Sequence, residues 1–203
     1  PDFGRPLLKY ADGKYPQGSF YYKMTDAFVS KEENAVKVLA NLKCDKAVCE
    51  KAGAPRRVQV IYTLRNDGLK FDVLWLGKDA NRTTEALFLH LYPAFNEMSL
   101  TKLGSKIDYN NVVSMGGKKL HAVEKCIFEN PSGAFSILNY HSPLLSLGQG
   151  KILEYDNKIE NAQKDGISYV LYDNVWGTNF PLWYEDNAMF SFKIERSNIK
   201  ESN

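Results

Sequence analysis

The fold class of this chain can be predicted from Val58-Gln-Val-Ile-Tyr-Thr-Leu64 and the Asn66-Asp-Gly68 that follows it. β-Branched and aromatic residues favour extended backbone, and Asn and Gly accept the positive φ angles that a tight hairpin needs. Leu69 to Leu76 supplies a return strand. The stretch therefore predicts an antiparallel β-hairpin in the middle of the chain.

Further segments of the same texture follow, and Pro, Gly and Asn residues separate them. They are residues 85–92, 98–103, 119–128, 134–140, 166–172 and 188–196. The polar residues 148–165 predict a long surface loop. A total of about eight short strands predicts a mainly β protein, an antiparallel β-sandwich.

The segment before Pro55 has a different pattern. Ser30-Lys-Glu-Glu33 matches a capping box, and apolar residues follow it at helical spacing. These features predict a helix over 31–43, within a fold that has one or two short helices near the N-terminus. We divide the sequence into an N-terminal connecting segment, 1–55, and a β-sandwich domain, 56–203.

Composition excludes some classes of partner. Of 203 residues, 44% are hydrophobic. The net charge is only +2, and the Lys and Arg residues are spread along the chain. This distribution argues against nucleic acid as a partner. No apolar run reaches the roughly 20 residues of a membrane span, so we expect no membrane partner. Because the sequence begins at Pro1, we expect a fragment of a longer chain.

Cysteines and one sequon bear on the compartment. Cys44 and Cys49 are close enough in sequence for a small-loop disulfide, whereas Cys126 lies in a strand-like run typical of a buried thiol. Asn81-Arg82-Thr83 is an acceptor sequence for glycosylation at Asn81. Together these features favour a secreted or lysosome-like protein, with a cytoplasmic location left open.

Catalytic and metal-binding patterns are missing from the sequence. It has three histidines, with no zinc-binding spacing, phosphate-binding loop or nucleophile elbow. His141 and Ser142 are neighbours and would point to opposite faces of a strand, and His90 fits a sheet histidine with satisfied hydrogen bonds. We therefore predict no catalytic residue, no metal ligand and no cofactor in this chain.

The segment 174–184 is unusually aromatic. It contains the candidate contact residues Trp176, Thr178, Asn179, Phe180, Trp183 and Tyr184. Gly177 and Pro181 prevent a regular helix or central strand. The rings either fill a core seam or present flat apolar faces to a sugar or a partner, with Asn and Thr bonding to hydroxyl groups.

A second unusual segment runs from Trp75 to Ala86. Lys78, Arg82 and Glu85 lie there at a junction between two predicted strands. One interpretation is a surface ion-pair cluster that contributes little stability. The other is a polar group that fixes a junction with another domain or with a substrate.

Several short elements in a fixed order resemble a known family. They are Trp75…Lys78…Arg82…Glu85-Ala86, Lys102-Leu-Gly104, Leu120-His-Ala122, His141-Ser-Pro-Leu144 and Asn174…Trp176-Gly-Thr-Asn-Phe-Pro181…Trp183-Tyr184. The set, which spans about residues 56 to 196, resembles the C-terminal β region of a protein family related to the family-38 glycoside hydrolases, the α-mannosidases.

The resemblance implies a sandwich of the galactose-mutarotase-like supersandwich type. It also implies a longer parent whose N-terminal barrel carries the catalytic Asp and the zinc ligands. This chain would then be a non-catalytic portion that supports the barrel and helps to wall its sugar site, with that barrel and carbohydrate as partners. The alternative is a free-standing lectin-like or adhesion module.

Overall fold

The structure is a computed structural model that describes residues 14–81, 83–150, 157–158, 160–174 and 183–197. Over this part of the chain it contains thirteen strands and two short α-helices. The strands form two antiparallel sheets, one of nine strands and one of four. The predicted mainly β fold is confirmed, and the pair of sheets is consistent with a β-sandwich.

The chain forms two compact units, and each is assembled from separate stretches of sequence. Unit 1 contains residues 1–64, 71–86 and 173–190, and unit 2 contains residues 65–70, 87–172 and 191–203. Both units contain residues beyond position 55, and the predicted division into segments 1–55 and 56–203 stays a prediction.

Four strands and one helix form most of unit 1. They are β1 (Lys23–Glu32), β2 (Ala35–Lys43), α1 (Lys46–Ala52), β3 (Arg57–Arg65) and β4 (Gly68–Leu76). The strands lie in the order β1-β2-β3-β4. Alternate residues of β4, namely Phe71, Val73 and Trp75, are buried, which is the two-residue period of a strand with one covered face.

The predicted helix over 31–43 is wrong. This segment is the end of β1, a turn at Glu33-Asn34 and β2. Its apolar residues fit a period of two as well as a helical period, and β2 has a pairing partner on each edge: Val38 lies opposite Val29 of β1 and Tyr62 of β3. Glu33, the glutamate of the predicted capping box, lies in the turn, and Glu32 forms an ion pair with Lys37, with Nζ and Oε1 2.7 Å apart.

A short helix that was not predicted, α1, begins three residues after the end of the predicted one. Asp45 caps it, because its carboxylate accepts a hydrogen bond of 2.7 Å from the Ala47 amide. Gly53 ends it with a φ of 77° and donates its amide to the Cys49 carbonyl at 3.2 Å. Both signals are present in the sequence, but the helix was predicted from the stronger apolar pattern just before them.

The β3–β4 hairpin is confirmed. Its turn is Asn66-Asp67, and Gly68 follows with a φ of 135°. A Cβ atom at Gly68 would lie 2.3 Å from the Ile194 carbonyl oxygen. Both the backbone angle and the close approach therefore require glycine at this position.

Unit 2 holds most of the remaining elements. They are β5 (Ala86–Leu91), β6 (Glu97–Lys102), β7 (Ser105–Asp108), a 3-10 helix (Tyr109–Asn111), β8 (Leu120–Ala122), β9 (Lys125–Asn130), β10 (Gly133–Asn139), β11 (Leu144–Leu147), α2 (Ala162–Asp165), β12 (Ile167–Asp173) and β13 (Ala188–Ser197). One sheet runs β13-β10-β9-β6-β7 here, and the four-stranded sheet runs β5-β12-β11-β8. β2, β7 and β11 were not predicted, and the predicted strand over 119–128 is two strands, β8 and β9.

Residues from both sheets meet in the core of unit 2. The Cys126 sulfur on β9 lies 3.3 Å from the Tyr169 hydroxyl on β12, and the Tyr169 ring lies 5.0 Å from that of Phe192 on β13. All three side chains are fully buried. Cys126 is thus the buried thiol that was predicted, and burial raises its pKa to about 12.

The turn between β6 and β7 has an unusual residue. Lys102 pairs with Ser105, so Leu103 and Gly104 are the two turn residues, and their φ angles are 49° and 77°. This is the primed turn that Asn and Gly normally occupy. Leu103 is 98% exposed, so no packing compensates for its left-handed backbone.

Candidate carbohydrate-contact surface

The aromatic part of the site is centred on Trp75 at the end of β4. Trp75 is only 3% exposed, and its ring lies 5.1 Å from that of Phe190 and 6.0 Å from that of Tyr184. The Tyr184 ring meets Trp75 edge-on, at 66°. Trp75 therefore fills the core beneath Tyr184, an arrangement that aromatic quadrupoles favour.

Hydrogen bonds fix the segment 183–187 to this end of β4. The Trp75 indole donates to the Asp186 carbonyl at 3.0 Å, and the Gly77 amide donates to Asn187 Oδ1 at 2.9 Å. Within the segment, the Tyr184 hydroxyl donates to the Asn187 carbonyl at 3.2 Å. These bonds hold an irregular stretch in one conformation.

Trp183 and Tyr184 form what we call the aromatic platform. Trp183 is 42% exposed and Tyr184 is 39% exposed, and the neighbouring Glu185, Asp186 and Asn187 are exposed as well. The surface thus combines flat apolar faces with hydrogen-bonding groups. This combination suits a ligand that has both C–H faces and hydroxyl groups.

A buried ion pair lies one step along the chain from Gly77. Lys78 Nζ is 2.6 Å from Glu85 Oε1 and donates to the Gly53 carbonyl at 2.9 Å. The Lys78 side chain is 1% exposed. Lys78 therefore connects Gly53, which ends α1, to the junction between β4 and β5. The Lys78–Glu85 pair is not an ion pair between exposed side chains.

Asn174, at the end of β12, completes this polar network. Its side-chain oxygen accepts the Glu85 amide at 2.8 Å, its side-chain nitrogen donates to the Thr83 carbonyl at 3.1 Å, and its own amide donates to the Glu85 carbonyl at 3.1 Å. An asparagine has both a donor and an acceptor, so it can pair with the junction as a strand would. Asn174 is buried, and its role was not predicted.

Asn81, the predicted glycosylation residue, also belongs to the junction. Its side-chain oxygen accepts hydrogen bonds of 2.6 Å from both the amide and the hydroxyl of Thr83. Its side-chain nitrogen donates to the Lys51 carbonyl at 3.3 Å, and its Cβ lies beside Gly53. Glycosylation at Asn81 stays a prediction.

The predicted disulfide residues lie at the start of α1. Cys44 and Cys49 are both thiols in the structure, and their bridge stays a prediction. The Cys49 sulfur and the Tyr22 hydroxyl both approach the Pro55 carbonyl, at 3.7 and 2.8 Å. Burial is the main cause that raises the pKa of Tyr22, with smaller contributions from Cys44 and Cys49.

The histidines are held in unit 2 by neighbouring polar groups. His90 Nδ1 lies 2.7 Å from the Ser168 hydroxyl, which donates to the Gly148 carbonyl at 2.9 Å, so His90 Nδ1 carries the proton. His90 Nε2 is buried without a hydrogen bond. Only one of the two ring nitrogens therefore has the hydrogen bond that was predicted. Burial lowers the pKa of both His90 and His121.

His141 and Ser142 were predicted not to form a pair, and each has a different hydrogen-bond partner. The His141 ring accepts the Ser191 amide at 3.1 Å, and the Ser142 hydroxyl donates to the Val170 carbonyl.

In the part of the chain that the structure describes, no three His, Cys, Asp or Glu side chains are grouped as metal ligands. The described helices are also too short and too polar to span a bilayer.

The structure places some of the predicted contact residues and leaves the others outside the described ranges. It brings Lys78 together with Glu85, and Tyr184 together with Trp75, all in unit 1. The predictions for Arg82, Trp176, Thr178, Asn179 and Phe180 fall outside the described residues. The supporting residues Asp186 and Asn187 were missed, because their partners are distant in sequence.

Comparisons with protein-family models, curated proteins and solved structures find no match to this chain. The resemblance to the family-38 glycoside hydrolases thus rests on the sequence elements alone.

Proposed function

We propose that this chain is a non-catalytic β-sandwich portion of a carbohydrate-active hydrolase of the α-mannosidase type, and that it contacts carbohydrate through Trp183 and Tyr184. The observation that supports the contact is the aromatic platform itself. Two adjacent aromatic side chains remain about two-fifths exposed on a segment that hydrogen bonds hold in place.

Rigidity is the feature that favours binding over a mere surface loop. A fixed platform loses little conformational freedom when a ligand stacks on it, so more of the contact energy contributes to affinity. Trp75 fills the core beneath Tyr184. The Trp183 side chain is 42% exposed, so a ligand can reach it.

We assign Lys78 and Glu85 a supporting role rather than a direct contact with sugar. The Lys78 side chain is buried, the Glu85 side chain is 15% exposed, and Asn174 and Gly53 bond to the same junction. The paired groups would have to break these bonds to contact a ligand. The network instead fixes the loop that leaves β4 just beyond the anchors of the platform.

The setting of the contact distinguishes the proposal from its alternative, a free-standing lectin-like module. A lectin-like module binds glycan by itself, whereas a portion of a hydrolase contributes its platform beside a catalytic barrel. The anchors of the platform all belong to unit 1, and this placement is compatible with both settings. In either setting, the isolated chain should show no turnover of aryl α-mannosides, with or without zinc, because no metal-ligand pattern occurs in the sequence.

The test is calorimetric titration of mannose-containing oligosaccharides into the isolated chain. If the platform binds them, Trp183→Ala should weaken affinity about 30-fold, which corresponds to the roughly 2 kcal/mol of an aromatic hot spot. Tyr140→Ala, which removes another exposed aromatic side chain, is the matched control and should leave affinity unchanged.

Three outcomes can be separated. Binding that depends on Trp183 supports the contact and favours the lectin-like setting. Binding that appears only after an α-mannosidase-type barrel is added, and still depends on Trp183, supports the hydrolase setting. Equal affinity in the wild type and Trp183→Ala, or no binding under either condition, rejects the carbohydrate contact.

A further inference from the structure

The start of α1 places two cysteines at positions whose side chains normally touch. Asp45 is the N-cap, so Cys44 is the residue before the cap and Cys49 is the fourth residue of the helix. Apolar side chains at these two positions pack across the first turn as a hydrophobic staple. In this chain both staple residues are thiols.

The two thiols are near neighbours. Burial is the largest cause that raises the pKa of both thiols. Each thiol also affects the other: a hydrogen bond with Cys49 offsets part of the rise for Cys44, and Cys44 adds to the rise for Cys49. Cys44 is half-buried and Cys49 is buried, so the reduced pair serves as an apolar contact.

We propose that Cys44 and Cys49 are a redox site that converts the staple of α1 into an intramolecular disulfide when a small-molecule disulfide, such as glutathione disulfide, is present. This redox site is independent of the carbohydrate contact. The positions of Cys44 and Cys49 around the first turn of α1 give the predicted pairing a structural basis that sequence spacing alone does not provide.

The chemistry is two successive thiol–disulfide exchanges. The more exposed Cys44 loses its proton to water, and its sulfur attacks the oxidant, which releases one glutathione thiolate. The Cys49 thiolate then attacks the Cys44 sulfur and expels the second glutathione. Both cysteines lose a proton, one S–S bond forms in the protein, and the oxidant takes up two electrons as it becomes two thiols.

The bridge would hold a segment that supports other residues. The Gly53 carbonyl just after α1 accepts from Lys78, and the Pro55 carbonyl accepts from Tyr22. Because burial raises the pKa of both thiols, each is a poor leaving group, so we expect the bridge to be reduced slowly once formed.

Peptide mapping gives a direct test, because Lys46 lies between the two cysteines. The native protein is equilibrated with glutathione and its disulfide, the remaining thiols are alkylated, and the protein is digested with trypsin. Peptides 44–46 and 47–51 should be recovered joined, and reduction should separate them. Cys49→Ser should abolish the joined species, and Cys126→Ser should leave it unchanged.

A comparison of the native and urea-unfolded protein isolates the contribution of the helix geometry. The equilibrium constant for bridge formation should be about 30-fold higher in the native state, as for a small-loop disulfide that stabilises the fold. Equal constants in the two states would overturn the proposal, as would free alkylation of both thiols in the native protein under conditions that oxidise the unfolded chain.

Discussion

At the scale of single residues, two tryptophans of the described chain have opposite environments. Trp75 is buried and donates a hydrogen bond, whereas Trp183 is substantially exposed. We expect Trp75→Ala to lower the free energy of unfolding by about 3–5 kcal/mol, the usual range for a buried large aromatic. Trp183→Ala should lower it by less than about 1 kcal/mol. Urea denaturation of both variants checks this, and similar losses would contradict the assigned environments.

The Lys78–Glu85 pair is the second residue-scale case. Lys78→Met leaves the Glu85 carboxylate without its ammonium partner, so we expect a loss of about 3–5 kcal/mol. Replacing both residues, by Lys78→Met and Glu85→Leu, should recover most of this loss, because no unpaired charge remains. Lys46→Met is the control, since its ion pair with Glu50 is exposed and should contribute under about 0.5 kcal/mol. A double variant as unstable as Lys78→Met would argue against the ion pair as the cause.

At the scale of elements, the Leu103 turn should be improvable. Asn adopts the left-handed backbone more readily than Leu, so Leu103→Asn should raise the free energy of unfolding by about 1 kcal/mol. Leu103→Ala keeps a Cβ atom and lacks the polar side chain of Asn, so it should give little gain. The measurement is the urea midpoint at an unchanged m-value. A loss of stability in Leu103→Asn would mean that the leucine side chain makes a contact that offsets its backbone.

Two elements show which parts of the secondary structure can be predicted from the sequence. The hairpin of β3 and β4 could be predicted because its signals are local: a β-branched run, then Asn66-Asp-Gly68. The segment 31–43 could not, because its apolar residues fit both periods and only pairing with β1 and β3 selects the strand.

The candidate site shows the same division between local and distant information. Trp183 and Tyr184 were identified from composition, since clustered aromatic residues are visible in the sequence. Their supports were not, because the hydrogen bond from Trp75 to Asp186 joins residues 111 positions apart. Nothing local in the sequence marks such a partner.

At the scale of the whole molecule, stability should depend on pH through two histidines. Burial lowers the pKa of His90 and His121 in the folded state, below the ordinary value of 6.5. The unfolded state therefore binds protons first as the pH falls below about 6.5, and the folded state loses stability through that window. The slope cannot exceed about 1.4 kcal/mol per pH unit for each histidine.

Chemical denaturation between pH 7.5 and pH 5 measures this effect, with about 6.5 as the expected start of the decline. Replacing both residues, by His90→Gln and His121→Gln, should flatten the curve in that window, whatever the replacements cost in overall stability. An unchanged slope in the double variant would assign the pH dependence to other groups.

The discontinuity of unit 1 has a consequence for biosynthesis. Its second stretch ends at residue 86 and its third begins at residue 173. At a translation rate of about 5–20 residues per second, roughly 5–20 s pass before the nascent chain extends from residue 86 to residue 190. During that interval Trp75 has neither Tyr184 nor Phe190 to cover it, so the emerging chain presents an uncovered apolar strand to chaperones at the ribosome. Ribosome-bound chains that stop before residue 183 should be more sensitive to protease in residues 71–86 than chains that extend beyond residue 190.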